Sequence, residues 1–370
     1  MSDVEAGGEW IATQTLIEKL KKKDERLKFY LITPSKNKYL LKESLFKKTI
    51  YIRHKYYKKP FKYYRELFYQ LSSGKKAISH IYKQYKFDCI ISTDYILTIS
   101  YLISQKKLNY IYYFHGIRNN YKIFSDTFNH FMIFQKLLEI LAWTMSKKLI
   151  IPSINARNVL IEHSFSLFKK KAPIVLPNLI RDEFKKNLKT HDKQIVLYSG
   201  RLAPNKGVEN LINAFLLIIK KYPKVVLVIV YPGKPEIEFL KKIKKIIEKK
   251  PKIIFINNPP VKELSILYQT STLAILPSPF EISSLFLREA LMCGLPIITT
   301  NTGDSSQILS DVFILKNGDT DTIYAKIVDY LENKNKYEQS AKIVSGNWKK
   351  QYNEEKIINS WISILKAYET

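Results

Sequence analysis

Two cysteines, Cys89 and Cys293, are all that the 370 residues contain. So few, and so far apart, they exclude a disulfide framework and a zinc site of clustered thiolates, and they fit a reducing compartment. Acidic side chains are also scarce: 33 Asp and Glu face 61 Lys and Arg, a net charge of +28. No stretch approaches the ~20 consecutive apolar residues that a membrane-spanning helix requires. The most apolar candidate, Phe131 to Trp143, is short and broken by Gln135, Lys136 and Glu139. The opening "MSDVEAGGEW" is acidic and Gly-rich, without the basic and then apolar pattern of a secretory signal. These absences lead us to expect a cytoplasmic protein, soluble or peripheral on the cytoplasmic face of a membrane.

What is present suits two domains. The chain is too long for one ordinary core, and its 46% hydrophobic content is enough to bury a sizeable one in each half. The charge is uneven: about +21 lies on residues 1–190 and about +7 on residues 191–370. The first half is therefore the half that meets an anionic partner, for which nucleic acid and an anionic membrane surface are the usual choices. Within it, residues 42–65 interleave cations such as Lys47, Lys48, Arg53 and Lys62 with aromatics such as Tyr51, Tyr56, Tyr57 and Tyr64. That mixture suits a membrane interface, and equally single-stranded nucleic acid.

Short apolar runs alternate with helical patterns along the whole chain. Residues 28–33, 88–92, 110–115, 148–152 and 172–177 read as buried strands, and the spacing of apolar residues predicts helices over 128–146 and 153–163. A polar junction, "RDEFKKNLKTHDKQ" (181–194), reads as an interdomain linker. Strands then resume at 195–200, 225–230, 252–257, 272–277 and 296–300, with a helical or turn segment after each. Continuous apolar strands alternating with helices imply parallel sheets covered on both faces. The expected fold is α/β: two Rossmann-like domains, 1–185 and 193–350, and a last helix in 351–370 that packs back on the first domain. Ligands of such sheets bind at the carboxyl ends of the strands.

Two loops carry the chemistry. After strand 195–200, "SGRLAPNKGVENL" sets Arg201 and Lys206 beside a helix start, and two cations there suit a diphosphate. After strand 272–277, "SPFEISSLFLREALMCGLP" holds Glu281 and Glu289 in an otherwise largely apolar run. Ser283 or Ser284 is a good N-cap, which turns the backbone N–H groups of Ser284 to Phe286 toward the same edge. One carboxylate near a helix start can be there only to complement the dipole; two are better matched to sugar hydroxyls. Cations for a diphosphate and acids for hydroxyls together describe a nucleotide-sugar site.

At these residues the second half resembles the donor-binding domain of the retaining GT-B glycosyltransferases, family 4. "LYSGRLAPNKGVENLINAF" is similar to that family's Gly-Arg…Lys-Gly segment, "FEISSLFLREALMCGLPIITT" to its Glu–seven residues–Glu motif, and "VFILKNGDTDTIYAKI" to the Gly-Asp segment that follows. In the first half, "EAGGEWIATQTLIEKLKKKDERLKFYLIT", "YIYYFHGIRN" and "VLPNLIRDEF" resemble the Gly-Gly loop, the His-Gly strand end and the Pro-Asn junction. The resemblance implies that Gly200, Arg201 and Lys206 bind the donor diphosphate, with the two cations stabilising the leaving group. It implies Glu281 at the donor sugar, Glu289 at the ribose hydroxyls, and Ser283, Ser284 and Leu285 at the phosphate. His115 would face the transferred sugar, and Gly7 and Gly8 would let the backbone approach phosphate or acceptor. The catalytic set it implies is Glu281, His115, Arg201 and Lys206. No cofactor and no metal are expected; the acceptor would be lipid-linked or a glycan.

The sequence departs from that family in three places. Ile282, Ser283 and Ser284 stand where Gly-Phe-Gly is usual. Gly303, Asp304, Ser305, Ser306 and Gln307 replace Gly-Gly-x-x-Glu, and Tyr231, Pro232 and Gly233 replace a Gly-x-Gly. In addition only six residues precede Gly7, where family members have a whole strand. Either the start codon lies upstream or this lineage has lost that strand. The rival readings are another GT-B-fold enzyme, such as a sugar-nucleotide epimerase, and a basic nucleic-acid-binding protein. The latter fits poorly with two carboxylates where a phosphate backbone would lie.

Overall fold

The computed structural model describes residues 8–34, 42–52, 62–104, 109–115, 130–163, 173–185, 194–233, 235, 237–248 and 252–369. It divides into two compact units: Thr13–Pro177 with Glu355–Thr370, and Asn178–Glu354 with Asp3–Ala12. The division thus falls at Pro177–Asn178, ahead of residue 185.

The chain starts with α1 (Gly8–Lys23), whose residues from Thr13 on belong to the first unit, and continues in that unit through β1 (Tyr30–Pro34), β2 (Lys48–Ile52), α2 (Lys62–Tyr85), β3 (Cys89–Ser92), α3 (Tyr95–Ile103), β4 (Asn109–Tyr113), α4 (His130–Met145), β5 (Lys148–Ile151), α5 (Ile154–His163) and β6 (Ile174–Val175). Strands β3-β4-β5-β6 form one parallel sheet in that order, and β1 pairs with β2 in a second parallel pair. Strand β4, "NYIYY", is almost wholly buried, as a central parallel strand must be. Asp94 starts α3 by accepting from the Ile96 N–H at 2.5 Å, the expected use of an acid before an apolar helix. Strand β2 occupies part of the basic and aromatic stretch, where Lys42 is tied to Glu18 at 3.0 Å. Residues 53–61 of that stretch lie outside the described residues.

The second unit contains β7 (Ile195–Ser199), α6 (Val208–Lys221), β8 (Val226–Tyr231), α7 (Ile237–Ile247), β9 (Ile253–Asn257), α8 (Val261–Thr270), β10 (Leu273–Leu276), α9 (Leu285–Cys293), β11 (Ile297–Thr300), α10 (Ser305–Ile308), β12 (Ile314–Leu315), α11 (Thr320–Glu332) and α12 (Lys334–Gln351). Its six-stranded sheet is wholly parallel, in the order β12-β11-β10-β7-β8-β9. The order runs one way from β7 through β9 and the other way from β10 through β12. The reversal lies between β7 and β10, which is where doubly wound sheets open a binding crevice. Every residue of β10 and β11 is buried, consistent with sequences that are apolar at consecutive positions.

The last helix, α13 (Glu354–Lys366), belongs mostly to the first unit, where Trp361 packs edge-on to Tyr113 of β4 at 5.0 Å. The polar junction is not a bare connector. Residues 178–185 group with the second unit, and the Phe184 side chain is fully buried in its core. One aromatic carries that segment in, at a transfer gain of about 1.5–3 kcal/mol.

Candidate active site

Strand β7 ends at Ser199, and the Gly200 N–H still donates to the Val230 carbonyl at 3.0 Å. The buried Tyr198 hydroxyl donates to the Arg201 carbonyl at 2.9 Å, fixing the first residue of the loop. A side chain at Gly200 would meet that hydroxyl at 2.8 Å, so the pinning requires glycine. Burial, and then the nearby Glu281 charge, raise the Tyr198 pKa, which keeps the hydroxyl protonated and donating. Among the described residues the Arg201 guanidinium makes no ion pair.

A single 3-10 turn, Pro204–Lys206, leads to Gly207, whose φ of 70° lies in the left-handed region. Any Cβ there would stand 2.3 Å from the Pro277 carbonyl oxygen. Gly207 therefore does two things: it turns the chain into α6, and it lets the start of α6 rest on the end of β10. The two loops flanking the strand-order reversal are held together by this contact.

From Pro277 the chain enters the loop that carries Glu281. Ser278 is fully buried; its hydroxyl donates to the Phe280 carbonyl at 2.9 Å, and its carbonyl accepts from the Thr300 hydroxyl. Across the reversal the Lys206 ammonium donates to Glu281 Oε1 at 2.6 Å, with side chains only 16% and 18% exposed. Glu281 Oε2 accepts from no other described residue.

Ser284 is the N-cap of α9, its hydroxyl accepting from the Leu287 N–H at 3.3 Å, and Gly294 ends the helix with φ of 72°. Ser283 accepts from the Asn178 amide at 3.4 Å, and Leu285 is half-buried. The N–H groups of the first turn of α9 thus start at the same sheet edge as Arg201 and Lys206, with the helix dipole positive there. Gly8, the first residue of α1, groups with this unit and lies against Leu285, 3.6 Å from its Cδ1 were a Cβ present. Gly7 lies outside the described residues.

Glu289 is one and a half turns into α9 and only 4% exposed. Arg181 donates to its Oε1 from Nε at 3.0 Å and from Nη2 at 2.7 Å, and Tyr268 donates to Oε2 at 3.1 Å. Burial opposes the Arg181 charge, but the Glu289 carboxylate outweighs it and holds the guanidinium above its ordinary pKa. The Tyr268 hydroxyl is pushed well above 10 by burial and then by the same carboxylate. Arg181 and Tyr268 carry no sequence signal for this role. The first sits in the polar junction and the second on an ordinary amphipathic helix, 108 and 21 positions from Glu289.

A second buried pair braces the same region. Arg288 donates to Asp304 and, at 3.4 Å, to the Ser284 carbonyl; the side chains are 4% and 8% exposed. Beside Asp304, Gly303 has φ of 62° and lies so near the Glu281 and Ile282 carbonyls that a Cβ would approach them to 3.1 and 3.2 Å. Arg288 and Asp304 therefore anchor the loop that backs Glu281, and Asp304 stands at one of the positions where the sequence departs from the glycosyltransferase pattern.

In the first unit, His115 follows β4 at the carboxyl edge of its sheet. Its ring lies 4.0 Å from that of Tyr113, and its buried Nε2 has no hydrogen-bond partner among the described residues. Burial pushes its pKa down to about 3. An Asp-x-Asp spacing occurs once, at Asp319-Thr320-Asp321; Asp319 caps α11 by accepting from the Thr322 N–H at 2.7 Å. Among the described residues no three His, Cys, Asp or Glu gather in a metal-binding group, and no helix is long and apolar enough to cross a membrane.

Residues 180–358 match the family described as glycosyl transferases group 1. An uncharacterized glycosyltransferase of Haemophilus influenzae is 28% identical over 232 residues, which is 60% of this chain and 64% of that protein, so the matched stretch spans less than two thirds of the relative. Anabaena Alr3699/HepE, solved in complex with UDP-glucose, superposes with a TM-score of 0.71 at 15% identity, over 98% of this chain and 97% of that one. A glycosyltransferase from Rickettsia africae ESF-5 gives a TM-score of 0.68 at 18% identity, over 99% and 96%. At such identities the structural likeness speaks for the fold alone. Residues 180–358, which carry the motifs, thus match the group 1 glycosyl transferases, on a fold similar to that of solved GT-B glycosyltransferases.

Proposed function

We propose that the protein transfers a sugar from a nucleotide-diphosphate sugar to an acceptor, with retention at the anomeric carbon. The observation that carries this reading is the meeting of Lys206 and Glu281 at the strand-order reversal, with Arg201 in the same loop. A cation pair at a sheet edge suits a diphosphate, and a carboxylate beside it suits a sugar hydroxyl. The Anabaena protein, whose fold is similar, was solved with UDP-glucose.

Each residue has a distinct task in this scheme. Arg201 and Lys206 neutralise the charge that grows on the diphosphate as the anomeric C–O bond breaks. Lys206 turns from Glu281 to the phosphate when the donor arrives, which leaves Glu281 to accept from the sugar. The Gly200 backbone and the N–H groups of Ser283, Ser284 and Leu285 line the phosphate, Gly200 by letting the loop approach closely since its own N–H is held by Val230, and Glu289 holds the ribose. The acceptor oxygen attacks the face that the diphosphate leaves, and its proton passes to a donor phosphate oxygen. His115, neutral at physiological pH because its pKa is about 3, serves as a neutral hydrogen-bonding partner of the sugar. Gly7 and Gly8 give the backbone close access to phosphate or acceptor. The cations of the loop supply the charge a metal would otherwise supply.

The acceptor in this proposal is lipid-linked or a glycan, reached by docking of the basic and aromatic stretch 42–65 on an anionic membrane surface. A screen of nucleotide sugars, with and without glycolipid acceptors, tests the whole reading by the release of nucleoside diphosphate. Release that depends on both donor and acceptor supports it. Interconversion of donor sugars without an acceptor would point instead to an epimerase.

A further inference from the structure

We propose that Glu289 reads one ribose hydroxyl of the donor and not two, because Arg181 and Tyr268 already use the rest of its hydrogen-bonding capacity. The proposal rests on the reading of Glu289 as the ribose-holding acid.

An ionised carboxylate accepts about four hydrogen bonds, two at each oxygen. Arg181 does not fork across both oxygens of Glu289. Its Nε, at 3.0 Å, and its Nη2, at 2.7 Å, converge on Oε1 alone and fill it. Tyr268 takes one place on Oε2 at 3.1 Å. No other described residue donates to Glu289, so of its four places only one, on Oε2, lacks a donor among the described residues.

The two occupants are not loosely held. The Arg181 guanidinium lies over the Phe184 ring at 4.7 Å, and Phe184 is fully buried and edge-on to Tyr268 at 4.8 Å. Tyr268 is also edge-on to Phe286 of α9 at 5.4 Å. Moving Arg181 aside would strand a carboxylate that is only 4% exposed, and an unpaired buried charge is strongly unfavourable. A ribose that offered both hydroxyls would find a partner for only one at this acid. Arg181 and Tyr268 are thus positioning residues that set how the nucleoside is read.

The test uses the full chain and three probes, UDP, ADP and GDP, by calorimetry; whichever binds is compared with its 2′-deoxy and 3′-deoxy forms. Losing a hydrogen bond to a charged acceptor weakens binding by about tenfold or more. One deoxy form should show that loss, and the other should bind within about threefold of the parent. In Tyr268→Phe, which keeps the ring packing, a second place on Oε2 opens and the second deoxy form should also lose affinity. Losses with both deoxy forms in the wild type, both abolished by Glu289→Gln, would overturn the proposal while leaving Glu289 on the ribose. If the parent binds and neither deoxy form loses affinity, Glu289 does not hold ribose at all. If none of the three diphosphates binds, the donor reading itself falls.

Discussion

The Lys206 ammonium donates to Glu281 Oε1 across the point where the strand order of the second sheet reverses, at 2.6 Å. Seventy-five residues separate the two in sequence. Each is mostly shielded from water, so each balances the other's charge until a ligand competes. The same two groups are those assigned to diphosphate and sugar.

Replacing either partner should separate activity from stability. Glu281→Gln and Lys206→Met should each lower kcat/KM for nucleotide-sugar turnover by about 100-fold, the scale of removing one group that stabilises transition-state charge. The melting temperature should fall less than the activity does, since side chains 16% and 18% exposed let water reach the partner left unpaired. Steady-state kinetics beside thermal melts check both halves. A large drop in melting temperature with a proportionate loss of activity would make the pair structural instead.

The Arg288–Asp304 pair should behave in the opposite way. Removing one partner by Asp304→Leu leaves a buried guanidinium uncompensated, and should cost about 3–5 kcal/mol in urea unfolding. Arg288→Met combined with Asp304→Leu should recover most of that loss, because two apolar side chains leave no buried charge. The double variant should remain a poor enzyme if the pair positions Gly303 behind Glu281.

Gly207→Ala tests the contact between α6 and the end of β10. The substitution forces a left-handed φ of 70° on a residue with a side chain and drives Cβ into the Pro277 carbonyl. Strain of that kind costs about 1–3 kcal/mol on its own. We expect both lower stability and weaker donor binding, because the loop bearing Lys206 must shift relative to the loop bearing Glu281. Gly346→Ala is the control: nothing lies within 4 Å of a Cβ there.

Most of the architecture was legible because parallel strands buried on both faces are apolar at every position, as in "VVLVIV" and "TLAILP". Strand β2 escaped notice since it lies within a run of lysines and tyrosines that resembles a surface stretch, and β12 is too short to carry a pattern. Arg201, Lys206 and Glu281 were readable from type and position: cations and an acid at strand ends beside helix starts. The partners of Glu289 were not, since nothing local marks Arg181 in a lysine-rich junction as the counter-charge of an acid in a distant helix. Asp304 was visible as a departure from a glycine pattern, but its ion pair with Arg288 emerges only from the fold.

His115 makes a pH prediction. Its folded-state pKa, pushed down to about 3 by burial, lies below the value near 6.5 expected for the unfolded chain. The unfolded state therefore binds the extra proton first as pH falls. The contribution of neutral His115 to stability is complete above pH 6.5 and declines progressively as pH falls toward 3. Urea unfolding of the wild type and of His115→Asn over that range should differ by an amount that shrinks with falling pH. A difference that is constant with pH would mean that His115 titrates normally.

The central claim is that the loops after β7 and β10 form a diphosphate-binding edge. Calorimetric titration of UDP, ADP and GDP into the wild type and into Arg201→Ala/Lys206→Ala tests it most directly. The account predicts that at least one diphosphate binds the wild type, and that the double variant, with an unchanged circular dichroism spectrum, binds it about 100-fold or more weakly, a loss of about 2.7 kcal/mol. Equal affinity in the two proteins, or no binding by the wild type, would contradict it.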